Sequence, residues 1–153
     1  MRYLILFAAC CLTGCSIPTK SSGFGPQSSK VAPIKLPTSI PHRVQVHITG
    51  QYDIARQCEE QFAAGLRDLG FELVNGDDHD GEFIGNVSAE SSSVNIDSHL
   101  SIRLVEGKSQ KTIWNVEAHD PRLTTWSYAV QTSVIHTTRA ALAALRRDLS
   151  SMQ

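Results

Sequence analysis

The 153-residue chain lacks an apolar run of about 18 residues, the length that a membrane-spanning helix needs. It also lacks an excess of basic residues, because its formal net charge is −1, and this argues against a nucleic-acid-binding protein. With 41% apolar and 19% charged residues, the composition is typical of a globular protein and not of a disordered one. The length predicts a single domain.

Acidic residues are absent from the first third of the chain. Asp53 is the first of the 15 acids, and five of the 14 bases precede it. The rest of the chain therefore carries a formal charge of −6, from nine bases against 15 acids. A basic leader ahead of an acidic body predicts two regions in different surroundings.

Cysteine is scarce in the body of the chain. Cys10, Cys11 and Cys15 lie in the first fifteen residues, and only Cys58 follows them. This distribution excludes a disulfide framework, and it excludes a zinc site with three or four cysteine ligands at fixed spacing. Cys58 shares an apolar helical phase with Ile54, which predicts a small buried thiol. The alternative is an intermolecular disulfide.

The first residues have the pattern of an export signal. Arg2 precedes a short apolar stretch, residues 3–12, which is too short to span a bilayer stably. The stretch ends in Leu12-Thr13-Gly14-Cys15, which resembles the lipobox of bacterial lipoproteins. In a lipobox, small residues before the cysteine allow a peptidase to cleave after the thiol has been lipidated.

The lipobox resemblance implies how the chain is processed and where it goes. It implies removal of residues 1–14 as a signal peptide and lipidation of Cys15 as the new first residue. Several acyl chains would give near-permanent attachment. Because Ser16 follows the cysteine, where aspartate commonly retains such proteins at the inner membrane, the resemblance implies the outer membrane, facing the periplasm.

The segment after Cys15 has the composition of a linker. Residues 16–42 hold five of the six prolines, several serines and glycines, and no hydrophobic period. We therefore predict a lipidated cysteine with a flexible linker over residues 15–42, followed by a periplasmic domain over residues 43–153.

Hydrophobic periods return from residue 43 onward. A period of two predicts strands, and a period of 3.6 predicts helices that begin near Asp53 and near Gln131. Gly70 is expected to stop the first helix, and Asp120-Pro121 is expected to end the last strand. The predicted strands are 43–48, 71–74, 83–89, 100–105 and 114–118.

The resulting order, β-α-β-β-β-β-α, predicts an α+β fold. We expect a two-layer sandwich, with a mixed sheet of four to five strands and two helices on one face. The core is expected to place Phe62, Leu66, Leu142 and Leu145 against Val46, Ile102 and Trp114. The element order and size resemble small periplasmic lipoprotein domains, including lipopolysaccharide-assembly lipoproteins and lipoprotein activators of cell-wall synthases. That resemblance implies a binding or assembly role.

Residues for catalysis or metal binding are sparse. The loop Asp77-Asp78-His79-Asp80 keeps only a fragment of the order of a calcium loop, which favours a solvated turn. No two histidines have the i, i+4 spacing of a zinc site, and no catalytic serine motif or phosphate loop is present. We therefore predict no catalytic residue, no cofactor and no metal. The six histidines are His42, His47, His79, His99, His119 and His136.

Trp126 and Tyr128 are the candidate partner contacts, since they form an aromatic pair in an otherwise polar connection. The alternative is that they cap the core. We predict a non-enzymatic outer-membrane lipoprotein whose domain binds or supports an envelope protein or cell-wall polymer. The alternatives are an envelope enzyme acting on cell-wall or lipid substrates, and a purely structural tether. Convergent His and Asp side chains in a pocket would favour the enzyme, whereas an exposed sheet edge or apolar patch would favour binding.

Overall fold

The domain is built on one mixed β-sheet with two helices. The computed structural model describes residues 27–29, 39–92, 95–123 and 128–152, so the predicted signal peptide and Cys15 lie outside the described residues. Within these ranges the elements are β1 (Gln27–Ser29), β2 (Arg43–Gly50), α1 (Tyr52–Asp68), β3 (Glu72–Leu73), β4 (Gly81–Ser91), β5 (Asn95–Glu106), β6 (Thr112–Leu123) and α2 (Tyr128–Ser150).

The strands lie side by side in the order β1-β6-β5-β4-β2-β3. β2 is parallel to both β3 and β4, whereas β4, β5 and β6 form an antiparallel meander. The elements from β2 to α2 follow the predicted order β-α-β-β-β-β-α, and both helices pack against the sheet. The predicted α+β fold is confirmed, and β1 adds one strand at the edge.

β1 lies inside the segment predicted as linker. It pairs antiparallel with β6, with Gln27 opposite His119 and Ser29 opposite Glu117, and it also contacts α2. These three residues therefore belong to the sheet. Residues 15–26 and 30–38 of the predicted linker lie outside the described residues.

β6 continues through Asp120-Pro121, so the prediction that this dipeptide ends the strand was wrong. Pro121 lies opposite Asp97 of β5. On the other side of β6, β1 reaches only as far as His119, and beyond it the described residues provide no partner strand. A proline, which has no N–H to donate, is tolerated at such an open edge.

α1 forms because its apolar residues recur with the helical period. Ile54, Cys58, Phe62 and Leu66 are all buried against the sheet. Asp53 lies in the first turn, where its charge is favourable at the helix N-terminus, while Gln51 occupies the N-cap position. Gly70 ends the helix with a φ of +89°, a conformation that favours glycine, as predicted.

The core between helices and sheet contains most of the predicted residues. Phe62, Leu66, Leu145, Ile102 and Trp114 are buried. Val46 and Leu142 are only half-buried and lie at the margin of the core. Leu142 packs over Gly65 of α1. A Cβ atom at Gly65 would come within 2.3 Å of the Leu142 Cδ1 atom. Leu142 therefore joins the two helices and does not lie at the centre of the core.

The outer edge of β2 is covered along only part of its length. β3 pairs with β2 at Arg43 and Val44. Further along, the Ile48 N–H donates a hydrogen bond of 2.9 Å to the Glu59 carboxylate of α1. A side chain thus satisfies a backbone donor at a position that β3 does not reach.

Candidate functional site: a basic groove between the helices

An open groove of about 650 Å³ lies between α1 and α2 near their C-terminal ends. Gly65 brings the two helices close together, and Leu142 and Ala143 contribute an apolar floor. The groove is lined by Gly65, Asp68, Leu69, Arg139, Leu142, Ala143, Arg146, Arg147 and Ser150.

Three arginines of α2 line this groove, against one acid, Asp68. Arg139 and Arg146 are seven residues apart, which places them on the same face two turns from each other. Both are exposed, and neither forms an ion pair within the described part of the chain. The lining is therefore basic, whereas the chain from Asp53 onward is acidic overall.

A basic helix end also has a purely structural explanation. Arg146 and Arg147 lie in the last turns of α2, where cations offset the helix macrodipole. Arg139 lies about three turns before the end of α2, beyond the reach of that effect. Arg139 is therefore the residue that distinguishes a binding groove from a capped helix end.

The groove combines two kinds of contact. Each guanidinium offers a fork of N–H donors that suits carboxylate or phosphate oxygens. The apolar floor of Leu69, Leu142 and Ala143 suits an aliphatic side chain. No residue of the lining is aromatic, so the groove lacks the stacking surface that sugar rings commonly use. The arrangement is best suited to an acidic, amphipathic ligand.

One carboxylate of the acidic loop Asp77–Asp80, that of Asp78, stabilises the fold. Asp78 forms a 2.9 Å ion pair with Arg43 at the start of β2, and this guanidinium lowers the pKa of the Asp78 carboxyl. His79 Nδ1 lies 2.9 Å from the Gly76 carbonyl oxygen. Across the described ranges, no group of three or more metal-ligating side chains comes together.

Three histidines lie on strands, on the sheet face away from the helices. They are His47, His99 and His119. His99 of β5 lies directly opposite His119 of β6. His99 is exposed and His119 is half-buried. The strands thus place two imidazoles side by side on the sheet face away from the helices, remote from the groove.

A buried cluster of hydroxyl groups went unpredicted. Ser98 of β5 has its Oγ 2.7 Å from the Oγ of Ser133 in α2, and Ser133 donates to the Asp120 carbonyl oxygen at 2.9 Å. Thr137 donates to the Ser133 carbonyl oxygen at 3.0 Å. These residues are fully buried, so their hydroxyls join the helix to the sheet. The sequence feature that could have predicted this cluster is the position of Ser98, which shares the buried face of β5 with Leu100 and Ile102.

The predicted partner contacts fall largely outside the described residues. Trp126 lies in the undescribed connection between β6 and α2, and Tyr128 is the first residue of α2. The arginine groove, by contrast, was not predicted. The sequence feature that could have predicted it is the seven-residue spacing of Arg139 and Arg146 on a helix that contains only one acid.

Cys58 is the buried thiol that the sequence predicts. It is fully buried, and its Sγ lies 3.2 Å from the Thr138 hydroxyl. Burial raises the pKa of the thiol to about 11. A thiol that is both buried and protonated is a poor partner for an intermolecular disulfide.

We expect the Cys58 thiol to resist labelling in the native domain. In a protein with Cys10, Cys11 and Cys15 replaced by serine, a thiol reagent at pH 8 should react at least 100-fold more slowly than in denaturant. Because the folded pKa is raised to about 11, the native rate should climb as pH rises toward that value. Absorbance of the released thiolate measures both rates. Equal native and denatured rates would contradict the buried position.

Comparisons with known proteins define the class of fold. No family model matches the sequence, and no curated protein matches it either. The likenesses are to solved structures at 8–12% sequence identity, and at this distance they show the fold alone. Within the described part of the chain, no helix has the length and apolar character to cross a membrane.

Three solved structures illustrate the likeness. A PelC dodecamer from Paraburkholderia phytofirmans aligns with a TM-score of 0.53 and 12% identity, over 76% of this chain and 96% of its own. The hypothetical protein CT253 from Chlamydia trachomatis aligns at 0.53 and 8% identity, over 71% and 98%. Lipoprotein GNA1162 from Neisseria meningitidis aligns at 0.49 and 12% identity, over 72% and 97%.

Proposed function

We propose that this chain is a non-enzymatic lipoprotein of the bacterial outer membrane. In this proposal Cys15 carries the lipid anchor, and the periplasmic domain binds an acidic segment of another envelope protein in the groove between α1 and α2. The observation that carries the binding role is the row of arginines, Arg139, Arg146 and Arg147, above an apolar floor.

The anchor is supported by the first residues of the chain. A single cation, a short apolar stretch and the sequence Leu12-Thr13-Gly14-Cys15 together meet the requirements of a lipobox. Ser16 supports the outer membrane as the destination.

An acidic protein segment is favoured over a cell-wall polymer by the chemistry of the groove. Carboxylates match the guanidinium forks, and aliphatic side chains match the floor, whereas sugar rings would find no aromatic partner in the lining. The acidic surface elsewhere on the domain would repel such a segment and steer it toward the arginines.

The proposal of a non-enzymatic protein is supported by the hydrogen bonds and ion pairs that the polar side chains form. The buried hydroxyls of Ser98, Ser133 and Thr137 bond to one another and to backbone carbonyls. Asp78 and His79 hold the turn before β4. These groups stabilise the fold and do not converge on an open pocket.

The binding role is tested with a photo-crosslinking amino acid at Ala143, on the groove floor, in intact cells. We expect a crosslink to an envelope protein with an acidic segment. Charge reversal in Arg139→Glu/Arg146→Glu should weaken that crosslink at least tenfold, about 1.4 kcal/mol of binding free energy. The matched control, Arg103→Glu/Lys108→Glu, makes the same change in net charge at exposed residues that do not line the groove and should leave the crosslink intact. Equal losses in both variants would contradict a specific role for the groove.

The anchor is tested by Cys15→Ala. Without the thiol no lipid can be attached, so an unprocessed precursor that incorporates no labelled fatty acid should accumulate. The control Cys11→Ala changes a neighbouring thiol and should be labelled and processed normally. Metabolic labelling followed by electrophoresis measures both. A wild-type protein of mature size without label would rule out the anchor.

A further inference from the structure

β1 determines which end of the domain the chain reaches first when it arrives from Cys15. Since Gln27 lies opposite His119 and Ser29 opposite Glu117, the chain enters the sheet on the side where β6 ends. His119 pairs with His99, His99 pairs with Ser88, and Val87 pairs with Gly50. This end therefore contains the end of β2, the start of α1 and the turn between β4 and β5. We call it the proximal end.

The distance from the anchor to this end is short. The twelve residue steps from Cys15 to Gln27 can span at most about 40 Å when fully extended, and a flexible coil of that length spans about 20 Å. A linker that ran undocked to residue 43 would reach more than twice as far. Docking of β1 therefore shortens the connection between the anchor and the domain.

The proximal end carries an exposed aromatic side chain. Tyr52, the first residue of α1, is 76% exposed and is the more exposed of the two large hydrophobic residues that protrude within the described ranges. Tyrosine favours the membrane–water interface, because its ring is apolar and its hydroxyl is polar. Three exposed acids lie near this end, Asp53, Glu90 and Asp97, and the exposed Arg56 follows one turn into α1, where it pairs with Glu60. Such a surface suits a zwitterionic bilayer better than an anionic one.

The arginine groove lies at the opposite end. α1 begins at the proximal end and reaches Gly65 and Leu69 at its far end, and α2 begins after β6 and reaches Arg146 near its own C-terminus. A domain held by its proximal end would therefore direct the groove away from the bilayer.

We propose that the proximal end, with Tyr52, rests against the zwitterionic surface of the bilayer that holds the anchor. This orientation rests on the proposed lipidation of Cys15. It makes the groove accessible to a partner that approaches from the periplasm.

The orientation is tested on the full lipidated protein in phosphatidylethanolamine–phosphatidylcholine vesicles that contain an acceptor-labelled lipid. A donor fluorophore is attached at Gln51→Cys, at the proximal end, or at Ser109→Cys, in the turn between β5 and β6 at the far end. Cys58 is buried and is not expected to label. Energy transfer to the lipid should be at least twofold greater from position 51 than from position 109. The variant Ser28→Pro/Ser29→Pro disrupts β1 and should reduce that difference.

The possible results separate the two proposals. Equal transfer from both positions, or greater transfer from position 109, in a chain whose acylation is verified by mass spectrometry would overturn the orientation alone. A chain without acyl groups on Cys15 would overturn the proposed anchor and the orientation with it. Loss of transfer at position 51 when Tyr52→Ser is added would further support contact through the ring.

Discussion

Phe83→Ala is expected to lower the free energy of unfolding by about 3–5 kcal/mol, because it removes an aromatic ring and leaves a cavity. Phe83 is fully buried at the centre of an aromatic cluster. Its ring centroid lies 5.3 Å from that of Phe62, 5.7 Å from that of Phe71 and 6.2 Å from that of Trp114, in edge-to-face geometry. The cluster joins α1, the meander and the segment before β3.

Urea denaturation followed by tryptophan fluorescence measures this loss. A domain of this size has about 5–15 kcal/mol of stability in total, so the midpoint should fall markedly. Ser88→Ala, an exposed position on the same strand, is the matched control and should change stability by about 0.5 kcal/mol or less. Small and equal effects would mean that the aromatic cluster is not the centre of the core.

Gly50→Ala should destabilise the domain by about 2–4 kcal/mol. Gly50 ends β2 with a φ of +145°, and a Cβ atom there would come within 2.1 Å of the Val87 carbonyl oxygen. That oxygen belongs to the backbone of β4, so a side-chain rotation cannot relieve the contact. The strand pairing between Gly50 and Val87 would have to open instead.

Gly76→Ala separates the two causes of that cost. Gly76 also has a positive φ, +94°, but a Cβ atom there would meet nothing within 4 Å. Gly76→Ala should therefore lower the free energy of unfolding only by the backbone strain of alanine at a positive φ, about 1 kcal/mol. Thermal and urea unfolding of both variants measure the difference. If Gly76→Ala cost as much as Gly50→Ala, the close approach of β2 to β4 would not be the cause.

The parts of the fold that were predicted are those with a strong local period. α1 and β5 each repeat their apolar residues with the period of the element, so their burial follows from the sequence. β1 has three polar residues and no period, and only its long-range pairing with β6 makes it a strand. Pro121 continues β6 for a related reason. On the side of β6 away from β5, the described residues provide no strand partner beyond His119, and this is a property of the assembled sheet.

The candidate site was harder to predict because it depends on two helices at once. Arg139 and Arg146 alone predict a solvated helix face. Gly65, more than seventy residues earlier, is what allows Leu142 to pack closely and form the floor of a groove. Leu142 was expected at the core for its helical phase, yet the approach of α1 places it between the helices. A contact between two helices that are this far apart in the sequence cannot be predicted from either helix alone.

The hydrogen bond from Ile48 to Glu59 has a consequence for the behaviour of the protein at high local concentration. Open strand edges recruit strands from neighbouring molecules, and the lipid anchor proposed at Cys15 would confine many copies to one plane. An incoming strand would need the Ile48 N–H that the Glu59 carboxylate already holds at 2.9 Å. It would also have to approach a negative charge with its own carbonyl oxygens. One glutamate on a helix thus occupies a backbone donor that edge-to-edge pairing would need, so crowding under the proposed anchor need not lead to aggregation through this part of β2.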